Sequence, residues 1–357
     1  MSDDVTYMRN ALALARTGLG RTWPNPSVGC VLVKSHHVVA RARTADKGRP
    51  HAEYLSVEQA GDGAKGSTAY VTLEPCAHEG ETPSCALTLI KAGVEKVVIA
   101  VLDPDVRTNG KGVQMLKKAG VEVVVGVCEQ EAFECNEGFF LKALKQRPLV
   151  TLKTATSLDS KTATQSGQSK WITGNVSRAR GHMLRAQHDA IVVGVNTVME
   201  DNPTLTSRLD GIDHSIVRIV FDTTGKLTGA ENIFKDASRH PVWIVTTSRK
   251  LNIVGTKILQ VSNGNDGRIN IKEAMQSITA EGITRLMVEG GATLMTSFLK
   301  ENLFDALYWF RAPSLIGAEG LSAVQEMDIN EIKSQTYLSL KDSLSVGNDF
   351  LEIYKRA

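Results

Sequence analysis

One histidine, two cysteines and a glutamate carry the first chemistry in this chain. His51-Ala-Glu53 opens an expected helix, Glu74-Pro-Cys76 closes an expected strand, and Cys85 follows after eight intervening residues. One imidazole and two thiolates make a three-ligand zinc set with a fourth position open to water, the arrangement of catalytic rather than structural zinc. Both cysteines are expected near helix N-termini, where the dipole and free N–H groups favour thiolate. Glu53 sits two residues beyond His51 and can reach a water on the metal without ligating it. Zinc brings the pKa of such a water toward ~7, and a nearby carboxylate can carry its proton. His78 is the nearest candidate for a fourth ligand, and its binding would close the site.

A second constellation lies in the other half. Val288-Glu-Gly-Gly-Ala292 ends an expected strand, and Thr293 and Leu294 open a helix. Paired glycines allow close backbone approach, and a helix N-terminus offers free N–H groups to a phosphate. That half lacks a G-x-G-x-x-G after a strand, so it is not an ordinary dinucleotide-binding fold. Arg185 and Arg208 offer planar forks suited to a phosphate. Ser248, Arg249 and Lys250, just after another expected strand, read either as cofactor contacts or as a solvated loop.

Helices and strands must bring these groups together. Met8, Ala11, Leu12 and Ala15 recur at helical spacing. Strands are expected at 28–33, 69–73, 97–102 and 121–125, helices at 51–60 and 113–119, and one helical stretch over 129–146. Pro148 biases Arg147 out of a helix, so a domain boundary is expected near 146–149. The pattern restarts with strands at 149–155, 190–193, 216–221, 242–245 and 286–288, and helices at 176–187 and after Gly291. Alternation of this kind predicts two α/β domains, 1–146 and 147–357, with mostly parallel pairing.

The 357 residues suit two domains. With 41 basic and 39 acidic side chains the net charge is only +2, which argues against a polyanion-driven nucleic-acid binder. No stretch approaches the ~18–20 apolar residues of a membrane span, and the N-terminus is a poor signal peptide. The five cysteines have no framework spacing. A cytoplasmic protein with reduced thiols is expected.

The His-x-Glu…Pro-Cys pattern is that of zinc nucleobase deaminases. The stretch from Glu74 to Cys85, together with Pro24-Asn-Pro-Ser-Val-Gly29 and Asp103-Pro104…Gly110-Lys-Gly112, resembles the riboflavin-pathway pyrimidine deaminase family. The run from Lys153 through Asp159, Lys161, Ser169–Thr173 and His182–Gly194 to Arg208, with Ala312-Pro313 and Gly317, resembles the reductase domain of the same family. The resemblance spans about residues 5 to 355. It implies an N-terminal cytidine-deaminase-like zinc domain and a C-terminal dihydrofolate-reductase-like domain using NADPH. The implied substrate is a pyrimidine ribose phosphate, deaminated and then reduced in its ribosyl side chain. A homo-oligomer, dimer or tetramer, is implied as well.

Carried over by position, Asn25 contacts the pyrimidine and His78 lies near it. Ala155, Trp171, Thr197 and Asp201 line the NADPH site, and Gly291, Ala292, Thr293, Leu294, Met295, Thr296 and Ser297 cradle its pyrophosphate. Ser169, Arg185, Leu205, Arg208 and Glu289 hold the substrate. Trp171 offers an aromatic wall to either ring. Lys153, Asp201 and Glu289 are the candidates for proton delivery in the reduction. The chain departs from the family at Glu81, Ser84, Asp105-Val106 and Ser160; Lys111 or Arg107 would compensate for Glu81, and Ser160 would be strained if its φ is positive. Two other readings stand beside this one: an RNA or nucleobase deaminase with a C-terminal binding platform, and a non-catalytic zinc scaffold.

Overall fold

Two aspartates in the first turn and an arginine in the last suit the dipole of the opening helix, α1 (Asp3–Thr17), which buries Met8, Ala11, Leu12 and Ala15 as its spacing predicts. The computed structural model describes residues 3–78, 83–106, 108–209, 211 and 215–357. The chain divides into two compact units, Met1–Gln146 and Arg147–Ala357.

In the first unit α1 is followed by β1 (Gly29–Lys34), β2 (His37–Arg43), α2 (Ala52–Ala60), β3 (Thr68–Val71) and α3 (Cys85–Lys91). Then come β4 (Lys96–Ile99), α4 (Lys111–Lys118), β5 (Glu122–Val125), α5 (Glu129–Cys135) and α6 (Glu137–Lys145). Among the described residues these strands form one five-stranded sheet, ordered β2-β1-β3-β4-β5. β3, β4 and β5 run parallel, but β1 pairs antiparallel with both β2 and β3. β2 is unexpected from the sequence. Its hairpin turns at Ser35 and His36, both with positive φ (48° and 62°), the conformation a two-residue hairpin loop needs. Asn-Gly is the usual pair there, so Ser-His carried no signal.

The expected helix over 129–146 is two helices. Asn136 leaves helical geometry at φ −107°, ψ 21°. Its side chain pairs with the Ser27 backbone, accepting from N–H and donating to C=O, both at 2.9 Å. The buried side-chain amide ties the junction of the two helices to the loop before β1, while the Asn136 N–H still donates to the Ala132 carbonyl at 3.2 Å.

The second unit runs β6 (Leu149–Thr156), β7 (Lys161–Ala163), α7 (Asn175–Ala186), β8 (Ala190–Gly194), α8 (Val195–Asp201), β9 (Val217–Phe221), β10 (Val242–Thr246) and β11 (Lys257–Gln260). It continues with α9 (Ile271–Ala280), β12 (Arg285–Val288), α10 (Ala292–Lys300), β13 (Ala306–Arg311), β14 (Leu321–Ser322), β15 (Leu338–Val346) and β16 (Asp349–Arg356). Among the described residues a nine-stranded sheet has the order β11-β10-β9-β8-β12-β6-β13-β16-β15, and β7 pairs with β14 apart from it. From β11 to β13 every pairing is parallel, as expected; β16 and β15 add an antiparallel edge. β9 and β10 are buried along their whole length, which is why they read as continuous apolar runs.

Candidate active sites

In the first unit the three expected zinc ligands converge. His51 is the N-cap residue of α2, Cys76 lies in the loop after β3, and Cys85 is the first residue of α3. His51 Nδ1 lies 3.2 Å from Cys85 Sγ and 3.8 Å from Cys76 Sγ, and all three ligand atoms fall within 4.8 Å of one another. A tetrahedral zinc with bonds of about 2.0–2.3 Å needs spacings on the order of 3.5–4 Å, so these residues fit the ion. Cys76 does not begin a helix of its own. Its sulfur instead accepts the Cys85 backbone N–H at 3.3 Å, at the start of α3. The Cys76 thiol is held down to about 4, chiefly by the hydrogen bond from the Cys85 thiol and also by His51. The remaining proton of the pair sits on Cys85, where a bound dication would displace it.

Glu53, in the first turn of α2, is 3% exposed, and its Oε2 is buried without a hydrogen-bond partner. Burial pushes its carboxyl up to about 7, a value suited to giving and taking protons near neutrality. An orphaned carboxylate oxygen costs stability unless something meets it there. Asn25 is half-buried and donates to the Gly48 carbonyl at 3.0 Å. His78 is half-buried with Nδ1 unpartnered, and it is not part of the ligand cluster. Glu81 and Arg107 lie outside the described residues, and Val106 and Lys111 are exposed.

Glu74 has a role the sequence did not reveal. Its buried carboxylate accepts N–H groups from Asp103 (3.3 Å), Gly110 (3.0 Å) and Val113 (3.1 Å), tying the Cys76 loop to the start of α4. A Cβ on Gly112 would sit 2.1 Å from the Pro75 carbonyl oxygen. The glycine lets α4 press against the loop that carries Cys76.

In the second unit a charged cluster gathers at the C-terminal ends of parallel strands. Glu289, just past β12, accepts from Lys153 Nζ on β6 at 2.8 Å and from Arg185 Nε on α7 at 2.7 Å. The two cations hold its carboxyl far below the usual range despite burial. Arg185 also donates Nη1 to the Thr206 carbonyl at 3.0 Å, so much of its fork is used inside the protein. Arg208 is exposed and has no carboxylate partner among the described residues. His182, which the sequence reading passed over, accepts the Arg208 backbone N–H at its Nδ1 (3.4 Å) and accepts Ser207 Oγ–H at its carbonyl (3.1 Å). Burial and the surrounding cations push it down to about 4, so it is neutral.

The other expected residues separate into surface and core. Trp171 is 65% exposed, with the Arg178 guanidinium 4.4 Å from its ring centre. Ser169 is half-buried, and Asp201, at the end of α8, lies 3.5 Å from Lys170 Nζ. Ala155 packs against Phe310, Val346 and Leu351. Leu205 belongs to the core with Val198 and Ile216 and has φ 57°, so only its backbone can serve a ligand. Leu294, Met295 and Thr296 are buried, and Ser297 Oγ donates to the Thr293 carbonyl. Only Gly291, Ala292 and Thr293 of that segment reach the surface at the helix start. A Cβ on Gly291 would meet nothing closer than Thr197 Oγ1 at 3.9 Å, and one on Gly194 would meet nothing within 4 Å. This leaves room beside the free N–H groups of α10 for a pyrophosphate, so the residues fit the cofactor. Ser160 has φ 62°, the strained geometry expected for a residue in a glycine's place.

Residues 1–101 match the family model of the cytidine and deoxycytidylate deaminase zinc-binding region, and residues 148–351 match that of the RibD C-terminal domain. The chain is 41% identical to the riboflavin biosynthesis protein RibD of Aquifex aeolicus, covering 99% of this chain and 98% of that one. The chain belongs to the RibD family. The Escherichia coli RibD is 34% identical, with 97% of each chain covered. One crystal form of Acinetobacter baumannii RibD superposes with a TM-score of 0.91 at 37% identity, covering 99% of both chains. A Thermotoga maritima structure, described as a diaminohydroxyphosphoribosylaminopyrimidine deaminase/5-amino-6-(5-phosphoribosylamino)uracil reductase, superposes at 0.89 with 32% identity and 99% of both chains covered. As a RibD-family protein this chain is a deaminase and reductase of riboflavin biosynthesis acting on a small molecule. It joins a cytidine-deaminase-like zinc domain to a dihydrofolate-reductase-like, NADPH-dependent domain. Among the described residues no helix is long and apolar enough to cross a membrane.

Proposed function

We propose that residues 1–146 deaminate the 2-amino group of 2,5-diamino-6-(5-phosphoribosylamino)pyrimidin-4-one, and that residues 147–357 reduce the ribosyl side chain of the product to ribityl. The observation that carries the first half is the unpartnered Glu53 Oε2 beside the His51, Cys76 and Cys85 cluster. A zinc scaffold has no use for a buried carboxylate with a free oxygen.

Zinc held by His51, Cys76 and Cys85 supplies Lewis-acid activation of the attacking water. Glu53 takes the water's proton, delivers it to the ring nitrogen and then serves the departing ammonia. Asn25 and His78 position the pyrimidine.

NADPH, held by the start of α10 with Thr197, Asp201, Ala155 and Trp171, supplies the hydride for C1′ of the opened ribose. Of the three candidates for the accompanying proton, Lys153 is the one whose side chain is a hydrogen-bond donor by residue type, and its Nζ donates to Glu289 at 2.8 Å. Glu289 is kept ionised by its two cations, and Asp201 faces Lys170 at 3.5 Å. Glu289 therefore positions Lys153, and Arg208, with Ser169 and the Leu205 backbone, takes the ribose phosphate. Arg185 contributes through Glu289.

The five free cysteines fit a reducing cytoplasm. The exposed edge strand β15, with Leu340 57% exposed, offers a second copy a surface for a homo-oligomer. The deciding experiment supplies the diaminopyrimidine ribose phosphate with and without NADPH and follows ammonia release and nicotinamide absorbance together. Ammonia release independent of NADPH, followed by NADPH oxidation, is the expected result. Absence of both signals from zinc-loaded protein would overturn the assignment.

A further inference from the structure

The loop that carries Arg208 is pinned residue by residue. It leaves α8 after Asp201 and runs toward β9. The Thr204 carbonyl accepts Nη1 of the buried Arg218 at 2.9 Å, and the Thr206 carbonyl accepts Nη1 of Arg185 at 3.0 Å. Leu205, between them, is buried in the core. The next two anchors both belong to His182. Its backbone carbonyl accepts Ser207 Oγ–H at 3.1 Å, and its Nδ1 accepts the Arg208 backbone N–H at 3.4 Å. The Arg208 side chain takes no part in these bonds. It is exposed and pairs with no carboxylate among the described residues.

His182 also stands among the charges of the cluster. It lies three residues before Arg185 on α7, on the same face of the helix. The residue before it is Gly181, where a Cβ would sit 3.8 Å from Lys153 Cε. The half-buried imidazole faces Arg185, Arg208 and Lys153 with one acid, Glu289, against them. A charged side chain would fail at this position. A lysine or arginine would repel the cations and offer the Arg208 N–H no acceptor. A carboxylate would accept that N–H but would also pair with the guanidinium. An uncharged acceptor anchors the backbone and leaves the guanidinium free, and burial among cations keeps His182 uncharged.

We propose that His182 is a positioning residue for the substrate's phosphate: its Nδ1 fixes the Arg208 backbone and so presents an unpaired guanidinium to the phosphate. The inference rests on the reading of Arg208 as the phosphate contact. His182 acts on binding of the ribosyl phosphate and takes no part in the transfer of hydride or proton.

The test uses the full chain, with steady-state reduction of deaminated substrate and with titration calorimetry of ribose 5-phosphate, which needs no turnover. In His182→Ala the KM for the substrate and the dissociation constant of ribose 5-phosphate should both rise about tenfold, the scale of one lost hydrogen-bond partner. The kcat should stay within about twofold, as expected for a change in binding alone, and the KM for NADPH should not move. His182→Asn should restore most of the affinity, because its amide oxygen is an uncharged acceptor in the place of Nδ1. In an Arg208→Ala background, His182→Ala should weaken binding no further, since its effect passes through that guanidinium. Thermal unfolding matched to the parent chain reports that each variant is folded. Unchanged affinity in His182→Ala, an equal loss in His182→Asn, or a full further loss in the Arg208→Ala background overturns the proposal. Full affinity for ribose 5-phosphate in Arg208→Ala alone would instead overturn the reading of Arg208 as the phosphate contact, so the two failures are distinct.

Discussion

Glu289 accepts a 2.7 Å hydrogen bond from Arg185 Nε across 104 residues of sequence. The bond leaves one carboxylate oxygen for Lys153, so a single acid orients both side chains. Glu289→Gln keeps the shape and removes the charge. NADPH oxidation should fall by about 10²-fold or more, the scale for losing one preorganised electrostatic partner, while ammonia release persists. Because the Glu289 carboxyl is depressed in the fold, its contribution to stability is present above about pH 4.5 and fades only as pH drops below it. Equal loss of both activities in Glu289→Gln would point to misfolding instead.

Glu53→Gln tests the other site. The ligands His51, Cys76 and Cys85 are untouched, so zinc content by atomic absorption should match the parent chain. Ammonia release should drop by roughly 10²–10⁴-fold, the usual worth of a positioned acid–base group. Full activity with full zinc would remove Glu53 from the mechanism.

Gly112→Ala acts on the ligand loop from a distance. The added methyl would sit 2.1 Å from the Pro75 carbonyl oxygen, so either α4 or the Cys76 loop must move. Zinc affinity should fall, read as faster metal release to a chelator, with NADPH oxidation of deaminated substrate retained. A normal release rate would mean that Cys76 does not depend on this contact.

His188 gives the second unit an acid-sensitive core. It is fully buried, with Nδ1–H donating to the Leu184 carbonyl at 2.7 Å and Nε2 accepting from Thr151 Oγ1 at 2.9 Å. Burial pushes it down to about 3. The unfolded chain therefore binds a proton that the folded chain refuses between about pH 6.5 and 3. Stability is fully present above that window and falls as pH drops, by about 2 kcal/mol at pH 5. His188→Asn should flatten the difference between urea midpoints at pH 7 and pH 5. An unchanged slope would assign the acid sensitivity to other groups.

The convergence of His51, Cys76 and Cys85 was legible in the sequence because a metal-ligand set depends on residue types at short spacings. His51 and Glu53 share one helix start, and Cys76 and Cys85 bracket one loop. The buried strands of the second sheet were legible as apolar runs. β2 was not, since its Ser35-His36 turn lacks the usual residues. The split of α5 from α6 was not, since Asn136 leaves the helix to reach Ser27, 109 residues away.

What the sequence determined by itself is the list of chemical groups and their order: the His51, Cys76 and Cys85 set, the Glu53 carboxyl, the paired-glycine turn and the α/β alternation. Tertiary structure decided which of them meet. It brought Lys153 to Glu289 across 136 residues and assigned Glu74 to the backbone of the α4 start. It turned Leu294, Met295 and Thr296 inward, leaving only the first turn of α10 for a phosphate. The reason is physical. Local spacing sets which face of a helix or strand a residue shares, whereas a salt bridge between β6, β12 and α7 exists only once the sheet order has placed them side by side.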